Sequence, residues 1–445
     1  MLDAYIKGTF DLGGKRLQAR LGNQVVSWGE STFINNGINV INPIDLARLR
    51  SPGAEIKEAL LPSPMLWVSQ ELSDRISVEG FVLSRFKHVK LDPRGTYFST
   101  NDFISDDSDT LYLSGPDQHL TPIPMVSQRI SRGADRKAKN SGEFGVAMRM
   151  LAPEWGNTEF GLYFINYHSR IPIVSASRGG VTIAGVPCSY NVPLAKCTAT
   201  PATYYAEYPE NIRLFGLSFS TAGPVGIALQ GEYSYRQNQP LQLAAGELGL
   251  AALGLRNSIT GGSASAASVP MGTDIAGYRR VGMHQVQVSA TKSMPPILGA
   301  DQFIVLGEVG YTHLNLPNGL YFAGYGETTP AGSFTSTPAT ATGQGFATQN
   351  SWGYRLNASM DYNNAIGAIR VTPRLSFSHD VDGVSPTFNE SVKSASVGVG
   401  FTYREQWKAD IAYTAFFGGK QFPGVVMTNS LKDRDFITAS ISYSF

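Results

Sequence analysis

Long uninterrupted apolar runs are missing from this sequence. No stretch of about 18 consecutive apolar residues occurs, which excludes a helical membrane span, although 42% of the 445 residues are hydrophobic. An excess of either charge is also missing, because 36 Lys and Arg residues are balanced by 35 Asp and Glu residues. The resulting net charge of +1 gives no support for binding to nucleic acid.

Cysteine is scarce. Cys188 and Cys197 are the only two in the chain, and they bound the polar segment C-S-Y-N-V-P-L-A-K-C. Two cysteines without a neighbouring histidine supply too few ligands for zinc. In an oxidising compartment they would form a disulfide that stiffens an exposed loop by about 2–3 kcal/mol. Two free thiols in a cytosolic protein are the alternative, and we expect the disulfide.

Histidine is also sparse, and no pattern typical of an enzyme occurs. The six histidines are spread singly along the chain, without the spacing of a metal site or a catalytic triad. The segment Ser27-Trp28-Gly29-Glu30 does not have the G-x-S-x-G form of a nucleophile elbow. We therefore expect no enzymatic activity, no cofactor and no metal site.

Strict alternation of apolar and polar residues is what the sequence does contain. In Ile437–Phe445 the apolar and hydroxyl residues alternate, and the segment ends on an aromatic residue. The stretches 227–236, 352–362 and 369–378 alternate in the same way, with charged residues on the polar side. Charges are costly in a protein core but not when they face a water-filled lumen. The pattern therefore predicts an all-β, transmembrane, antiparallel β-barrel in a Gram-negative outer membrane.

The alternating segments predict 15 strands in a single domain over residues 1–445. They lie near residues 3–12, 15–28, 65–73, 76–88, 143–152, 157–168, 210–221, 225–237, 280–291, 301–314, 351–362, 365–379, 391–403, 406–417 and 434–445. Short turns and long loops alternate between them, as periplasmic turns and external loops do in such barrels. Both the last and the first of these strands then run towards the periplasm. Because bacterial barrels have an even number of strands, we expect at least one further strand before Met1, about 16–18 in the full-length protein, and a separate signal peptide.

The external loop over residues 29–64 is unlike a simple connection. Asn42 can cap a helix that begins at Pro43, and a second short helix can form over 54–61. Their leucines need an apolar surface to cover. One interpretation is a surface loop with its own small cluster. The other, which we adopt as the prediction, is a loop that folds inwards and narrows the barrel mouth.

Charged residues of this loop and of the inward strand phase are the candidate site for a solute. We expect Arg48 or Lys57 to pair with an acidic group of the wall or of the loop. Arginine is the commonest residue of this set, which indicates a basic path for an anionic solute. The alternative is that these charges pair with one another and stiffen the lumen. The candidates are Arg20, Glu30, Arg48, Lys57, Glu58, Arg85, Arg236, Arg355, Arg370 and Arg374.

Two further external segments have distinctive compositions. Residues 241–255 are rich in Leu and Ala, which predicts a short helix that plugs the mouth, lies on the membrane surface or caps the barrel top. Asp106, Asp107 and Asp109 have the chemistry to hold a divalent ion or to bridge lipopolysaccharide. A solvated loop is the interpretation that the sequence favours for these carboxylates. Outer-membrane lipid and lipopolysaccharide are the expected surroundings of the barrel.

Several motifs resemble those of a known family. They are Q-V-V-S-W-G-E-S at Gln24–Ser31, N-P-I-D-L at Asn42–Leu46, P-G-A-E-I-K-E-A-L-L-P at Pro52–Pro62 and L-D-P-R-G-T-Y-F-S-T-N-D at Leu91–Asp102. Together they resemble a proteobacterial outer-membrane β-barrel family of unknown function, along essentially the whole chain. Members are often encoded near a lipid-handling lipoprotein and an RND-type exporter. The resemblance therefore implies location, transport and these two partners rather than a chemical reaction.

Two functional hypotheses follow from the sequence. The first is a monomeric outer-membrane transport or channel protein for a hydrophobic or amphipathic compound, including an anionic one. The second is a closed barrel that serves as a scaffold or anchor for a periplasmic or lipoprotein partner. A wide, arginine-lined passage favours the first, and a lumen filled by the loop and by paired side chains favours the second.

Mass spectrometry of the unreduced protein tests the cysteine pair. We expect the peptides that carry Cys188 and Cys197 to be linked and to separate only after reduction, because the outer membrane faces an oxidising compartment. Alkylation of both thiols without prior reduction would contradict this expectation.

Overall fold

The computed structural model describes residues 3–50, 55–100, 102–112, 129–183, 186–187, 198–254, 257–261, 269–324, 345–421 and 428–444. Strands dominate these ranges. In chain order they are β1 (Ala4–Leu12), β2 (Lys15–Gln24), β3 (Ser63–Glu71), β4 (Ile76–Leu83), β5 (Thr110–Tyr112), β6 (Arg129–Arg132), β7 (Phe144–Ala152), β8 (Thr158–Tyr167), β9 (Ile173–Ser177), β10 (Gly180–Ile183), β11 (Val186–Pro187), β12 (Thr198–Thr200), β13 (Thr203–Glu207), β14 (Ile212–Ala222), β15 (Ile227–Gln242), β16 (Asp274–Ile275), β17 (Tyr278–Met294), β18 (Gln302–Leu314), β19 (Asn350–Ile366), β20 (Ile369–Asp382), β21 (Val392–Tyr403), β22 (Trp407–Gly418) and β23 (Phe436–Tyr443). Two short helices accompany them, α1 (Ile56–Ala59) and α2 (Ala245–Ala252). Within these ranges, no helix combines the length and the apolar character needed to cross a membrane.

One large antiparallel sheet contains 15 of the strands, in the order β1-β2-β3-β4-β7-β8-β14-β15-β17-β18-β19-β20-β21-β22-β23. Neighbours in the sheet follow each other along the chain, apart from the short strands that belong to the loops. The turn between β1 and β2 is Gly13-Gly14, whose φ angles of 63° and 77° lie in the left-handed region where glycine is favoured. The predicted all-β antiparallel architecture is therefore confirmed.

The large sheet exposes its apolar side chains and buries its polar ones, which is the reverse of a sheet in a soluble protein. Leu217 and Val397 are 50% and 59% exposed, whereas the neighbouring Ser218 and Ser396 are 8% and 7% exposed. A soluble sheet would bury the apolar members of these pairs. An apolar outer face with a polar inner face is the arrangement of a transmembrane β-barrel, because the outer face contacts lipid.

Contacts between distant loops show that the sheet curves back on itself. The Tyr97 hydroxyl, in the loop after β4, donates to the carbonyl oxygens of Asp433 and Asp435 at 3.1 Å each. The ring of Phe98 packs edge-on against Phe436, with the centroids 5.1 Å apart. Strand β4 lies near one edge of the sheet and β23 is the other edge. Each edge strand, β1 and β23, pairs on one side only.

A second, smaller sheet lies in the regions that the sequence analysis treated as loops. Its five strands have the order β16-β9-β13-β6-β5 and come from three separate connections between barrel strands. Helix α2 packs on it, since Leu248 and Ala251 form a buried cluster with Ala176 and Ile275. The predicted helix in 241–255 is therefore present over Ala245–Ala252, where it packs on this five-stranded sheet. These strands are too short to show the alternation that identified the barrel strands.

The expected helix beginning at Pro43 is absent, and this prediction was wrong. Ile44 instead forms a β-bridge with Leu60. The Asn42 side chain is unable to cap a helix because it joins other parts of the chain: its Oδ1 accepts from the Val26 amide at 2.9 Å, and its Nδ2 donates to the carbonyl oxygen of Leu61 at 2.9 Å. The second predicted helix, over 54–61, is reduced to the single turn of α1. Tertiary contacts thus override the local capping signals.

Cys188 and Cys197 lie outside the described residues. Their pairing therefore stays a prediction of the sequence analysis.

The exposed apolar face predicts the effect of a charge placed on it. Arginine at Val397, in the middle of β21, should destabilise the inserted barrel by about 2–4 kcal/mol, because lipid cannot solvate a guanidinium group. We expect Val397→Arg to reduce the fraction of heat-modifiable, folded protein in outer-membrane preparations, as measured by gel electrophoresis without boiling. Val397→Leu is the matched control and should fold like the wild type. An arginine variant that assembles at the wild-type level would contradict this orientation of the strand.

Candidate functional site

The connection between β2 and β3, residues 25–62, is called the inner loop below, because its first half packs on the inward face of the barrel sheet. It is described at residues 25–50 and 55–62. Its side chains Val26, Trp28, Ile38 and Ile41 are at most 3% exposed. They form one apolar cluster with inward-facing side chains of β3, β4, β7, β8 and β14. The inner loop is therefore packed onto the wall of the barrel and does not project into solvent.

Trp28 fixes the first part of the inner loop. Its indole Nε1 donates to Glu79 Oε2 at 2.8 Å. The centroid of its ring lies 5.1 Å from the ring centroid of Phe81 and 5.9 Å from that of Tyr163. A buried tryptophan needs an acceptor for its N–H group, and a carboxylate is a strong one. The ring therefore has both apolar contacts and a charged hydrogen-bond partner on β4.

Glu232, on β15, binds the backbone of the inner loop at two places. Its carboxylate accepts from the amides of Glu30 at 2.6 Å, Ser31 at 3.2 Å and Ile38 at 2.8 Å. The side chain is 4% exposed, so these hydrogen bonds replace water around a buried carboxylate. Gly29 and Gly37 make the approach possible, because a Cβ at either position would collide with the Glu232 oxygens.

Glu308, on β18, binds the tip of the same loop. Its carboxylate accepts from the consecutive amides of Thr32 at 3.0 Å, Phe33 at 2.6 Å and Ile34 at 2.9 Å. The side chain is 3% exposed. Glu232 and Glu308 together thus satisfy backbone amides over residues 30–38, a segment that forms no ladder with the barrel strands.

Residues 35–37, at the tip of the inner loop, make further hydrogen bonds to the wall and to the connection between β20 and β21. Asn36 Nδ2 donates to the carbonyl oxygen of Pro386 at 3.0 Å, in the connection between β20 and β21. Gln285 Nε2 donates to the Asn35 carbonyl oxygen at 2.6 Å, and Arg236 Nη2 donates to the Gly37 carbonyl oxygen at 2.6 Å. The inner loop therefore follows the inner wall from β4 to β20 and returns. The described hydrogen bonds of residues 30–38 include none to β21, β22, β23, β1 or β2, which are called the uncovered strands below. Part of their inner face is buried all the same, since Ser396 and Thr414 are 7% and 1% exposed.

A buried ion pair anchors the returning half of the loop. Arg170 and Glu143 lie 2.9 Å apart, and the two side chains are 8% and 0% exposed. The same guanidinium group donates to the carbonyl oxygens of Ile41 at 2.7 Å and Lys87 at 3.0 Å. Removing either charge would leave the other buried without a partner, which is costly. The pair therefore joins the inner loop to the connections that follow β4 and β8.

Glu30 faces a compact group of charges. Its Oε1 is 4.0 Å from Arg149 Nη1, and Arg149 also contacts Glu79 at 3.3 Å and Glu159 at 2.8 Å. Burial raises the pKa of Glu30 to about 7; the charge of Arg149 opposes this shift, and the carboxylate of Glu232 adds to it. Glu30 is thus a carboxyl group of the lumen that changes charge near neutral pH.

Most of the predicted wall arginines are paired. Arg355 contacts Asp380 at 2.7 Å, Arg374 Nη2 donates to Asp410 at 2.6 Å, and Arg370 contacts Glu405 at 3.3 Å. Arg236 is only 1% exposed and binds the inner loop, so it does not face a passage. Arg20 differs from these four, because its guanidinium group stacks on aromatic rings and contacts no carboxylate within the described residues.

The remaining candidates lie near the mouth. Lys57 Nζ is 2.5 Å from Glu55 Oε2 within the inner loop, and the hydrogen bond to Glu55 raises the pKa of Lys57. Arg48 Nη1 donates to the Glu58 carbonyl oxygen at 3.2 Å. Arg85 is exposed in the connection after β4. These residues are therefore not gathered with Arg20 or Glu30 into one site.

Sequence reasoning missed the two carboxylates that hold the inner loop. Neither Glu232 nor Glu308 is among the candidates from the sequence, although each is the single acidic residue of its strand. That isolation was the available signal, because a lone inward carboxylate needs donors from outside its own sheet. Across the described ranges, no group of three or more His, Cys, Asp or Glu side chains is arranged to hold a metal ion.

Solved structures similar to the chain include a porin and an outer membrane channel. A mutant of the Rh. blastica porin has 10% identity and a TM-score of 0.29, with 99% of this chain and 89% of that chain covered. The outer membrane channel DcaP of Acinetobacter baumannii has 11% identity and a TM-score of 0.31, with 86% and 85% covered. OccAB1 of Acinetobacter baumannii has 9% identity and a TM-score of 0.35, with 96% and 76% covered. These scores are too low for the likeness to carry an argument.

No curated protein matches the chain. A family model described as "Protein of unknown function (DUF1302)" matches residues 1–445. The match extends over the barrel strands and the inner loop alike. The chain therefore belongs to the DUF1302 family.

Proposed function

We propose that this protein is a channel of the Gram-negative outer membrane for amphipathic compounds, including anionic ones. The observation that carries the proposal is the position of the inner loop, which follows one part of the inner wall and is fixed there by Glu232 and Glu308. Such a loop narrows the lumen. A narrow passage then remains along the uncovered strands.

The uncovered wall has the chemistry of a wet passage. Thr438, Ser440 and Ser442 of β23 are exposed on its inner face, and Asp410 of β22 is 32% exposed where it pairs with Arg374 of β20. These groups keep contact with water, whereas the side chains beneath the inner loop are buried. The polar end of a solute would bind to this hydroxyl and charged wall, and the ring of Tyr5, which is 43% exposed on the inward phase of β1, offers a contact for an apolar end.

The second candidate is a closed barrel that anchors a periplasmic lipoprotein. The density of contacts around the inner loop favours it, in particular the fully buried Ile38 and Ile41 and the paired arginines of the wall. A barrel of this kind would be a rigid support with no solute path. Measurement of conductance separates the two candidates.

Release of the inner loop should widen the channel. In Glu232→Gln/Glu308→Gln each site keeps one uncharged amide oxygen as an acceptor and turns an N–H₂ group towards backbone donors, so the loop loses half of these acceptor oxygens and both charges. We expect the purified wild type to form small pores in planar lipid bilayers. The double variant should have a single-channel conductance at least about twofold higher, with larger fluctuations of the current. Glu154→Gln is the control, since Glu154 is an exposed partner of Arg75 in the turn after β7.

Folding of each variant is verified by heat-modifiability in gel electrophoresis. If correctly folded wild type and correctly folded double variant both fail to conduct, the channel is refuted and the anchored, closed barrel is favoured.

Glu30 should make ion selectivity depend on pH. Because the pKa of Glu30 is raised to about 7, its carboxyl group is neutral below that pH and negative above it. The lumen therefore carries one negative charge fewer in acid, and we expect the ratio of anion to cation permeability to rise as the pH falls from about 8 to about 6. Reversal potentials measured in a salt gradient give this ratio.

The Glu30→Gln variant should have the same permeability ratio at both pH values. Glu58→Gln, in the same loop, should keep the wild-type dependence. A pH dependence that persists unchanged without the Glu30 carboxyl group would contradict this assignment.

A further inference from the structure

Two cations on the inner face differ from all the paired arginines described above. In the described part of the chain, Lys7 on β1 and Arg20 on β2 contact no carboxylate, whereas Arg16, on the same inward phase, contacts Glu71 at 2.7 Å. The inward phase of β1 is identified by its neighbours, because Ile6 and Phe10 are 79% and 57% exposed on the outer face. Lys7 and Arg20 therefore face the lumen without neutralising partners.

The strand register brings these two cations together. Lys7 lies directly opposite Arg20 in the β1–β2 ladder, and Trp67 lies directly opposite Arg20 in the β2–β3 ladder. Side chains of directly opposed residues are neighbours on one face of an antiparallel sheet. Two like charges in this position repel each other and destabilise the pair. An anion between them would remove that repulsion.

Aromatic rings hold the guanidinium group of Arg20 in place. Its Cζ lies 4.0 Å from the centroid of the Trp67 ring and 5.5 Å from the Tyr5 ring. Its Nε is buried and has no hydrogen-bond partner. Stacking on the ring faces holds the guanidinium group in place, and its terminal Nη groups remain as the donors for a planar acceptor. The group is thus oriented in advance for a ligand.

We propose that Arg20 and Lys7 form a binding subsite for the carboxylate of an amphipathic solute, with the exposed ring of Tyr5 in contact with its apolar part. The planar N–H fork of arginine matches a carboxylate, and lysine adds a second charge from the neighbouring strand. Glu79 disfavours a ligand of higher charge such as phosphate, because its Oε2 accepts from Trp67 Nε1 at 3.3 Å and lies close to the subsite. The subsite rests on the proposed channel function and gives it a substrate class, carboxylates with an apolar chain.

The experiment uses hexanoate as the probe, with hexanamide and acetate as matched compounds. Hexanamide keeps the chain without the charge, and acetate keeps the charge without the chain. Hexanoate should reduce the conductance of the wild-type channel at concentrations at least tenfold lower than either matched compound. Arg20→Gln should raise the half-blocking concentration of hexanoate about tenfold, and Lys7→Gln should raise it by a smaller factor. Arg16→Gln is the control and should leave it unchanged.

Binding is also measured without conduction, by titrating hexanoate into the detergent-solubilised protein and following its heat of binding. Equal binding to the wild type and to folded Arg20→Gln would overturn the subsite even in a conducting channel. Binding that depends on Arg20 in a barrel that does not conduct would uphold the subsite and refute the channel. Equal potency of hexanoate and hexanamide would overturn the carboxylate assignment.

Discussion

The hydrogen bonds from the inner loop to two buried carboxylates are the interaction on which the rest of the structure depends. Glu232 and Glu308 stand on different barrel strands, and each accepts three backbone amides from residues 30–38. A segment without a strand or helix must find partners for its amides, and a buried carboxylate must find donors. The amides supply the donors that the carboxylates need, and the carboxylates supply the acceptors that the amides need. These hydrogen bonds fix the position of the segment on the wall.

This position determines the character of the lumen. Under the inner loop, apolar side chains such as Trp28 and Ile38 pack on the wall as they would in a soluble core. On β23, one of the uncovered strands, Thr438, Ser440 and Ser442 line the inner face, and Asp410 of β22 pairs with Arg374 of β20. A passage along these polar groups suits the polar end of an amphipathic solute, and the exposed ring of Tyr5 beside Arg20 offers its apolar end a contact. The stacked, unpaired Arg20 lies near the boundary between the uncovered strands and the apolar cluster, since its partner Trp67 belongs to that cluster.

The barrel could be predicted from the sequence, whereas the site could not, and particular residues show why. The alternation in β15, β20 and β23 depends only on near neighbours, so the sequence displays it directly. The bond from Glu232 to the Glu30 amide joins residues 202 positions apart, and no local pattern records it. Asn42 is an example of a local signal that misleads. Its sequence context predicts a helix cap, but its side chain accepts a hydrogen bond from the Val26 amide, and no helix forms there.

Hydrogen–deuterium exchange of the intact protein in membranes measures the central interaction most directly. The account predicts that the amides of Glu30–Ile34 and Ile38 exchange as slowly as those of the barrel strands, because Glu232 and Glu308 bind them in a buried site. It also predicts that Glu308→Gln speeds exchange at Thr32–Ile34 while the strands stay protected. Fast exchange of these amides in the folded wild-type barrel would contradict the account.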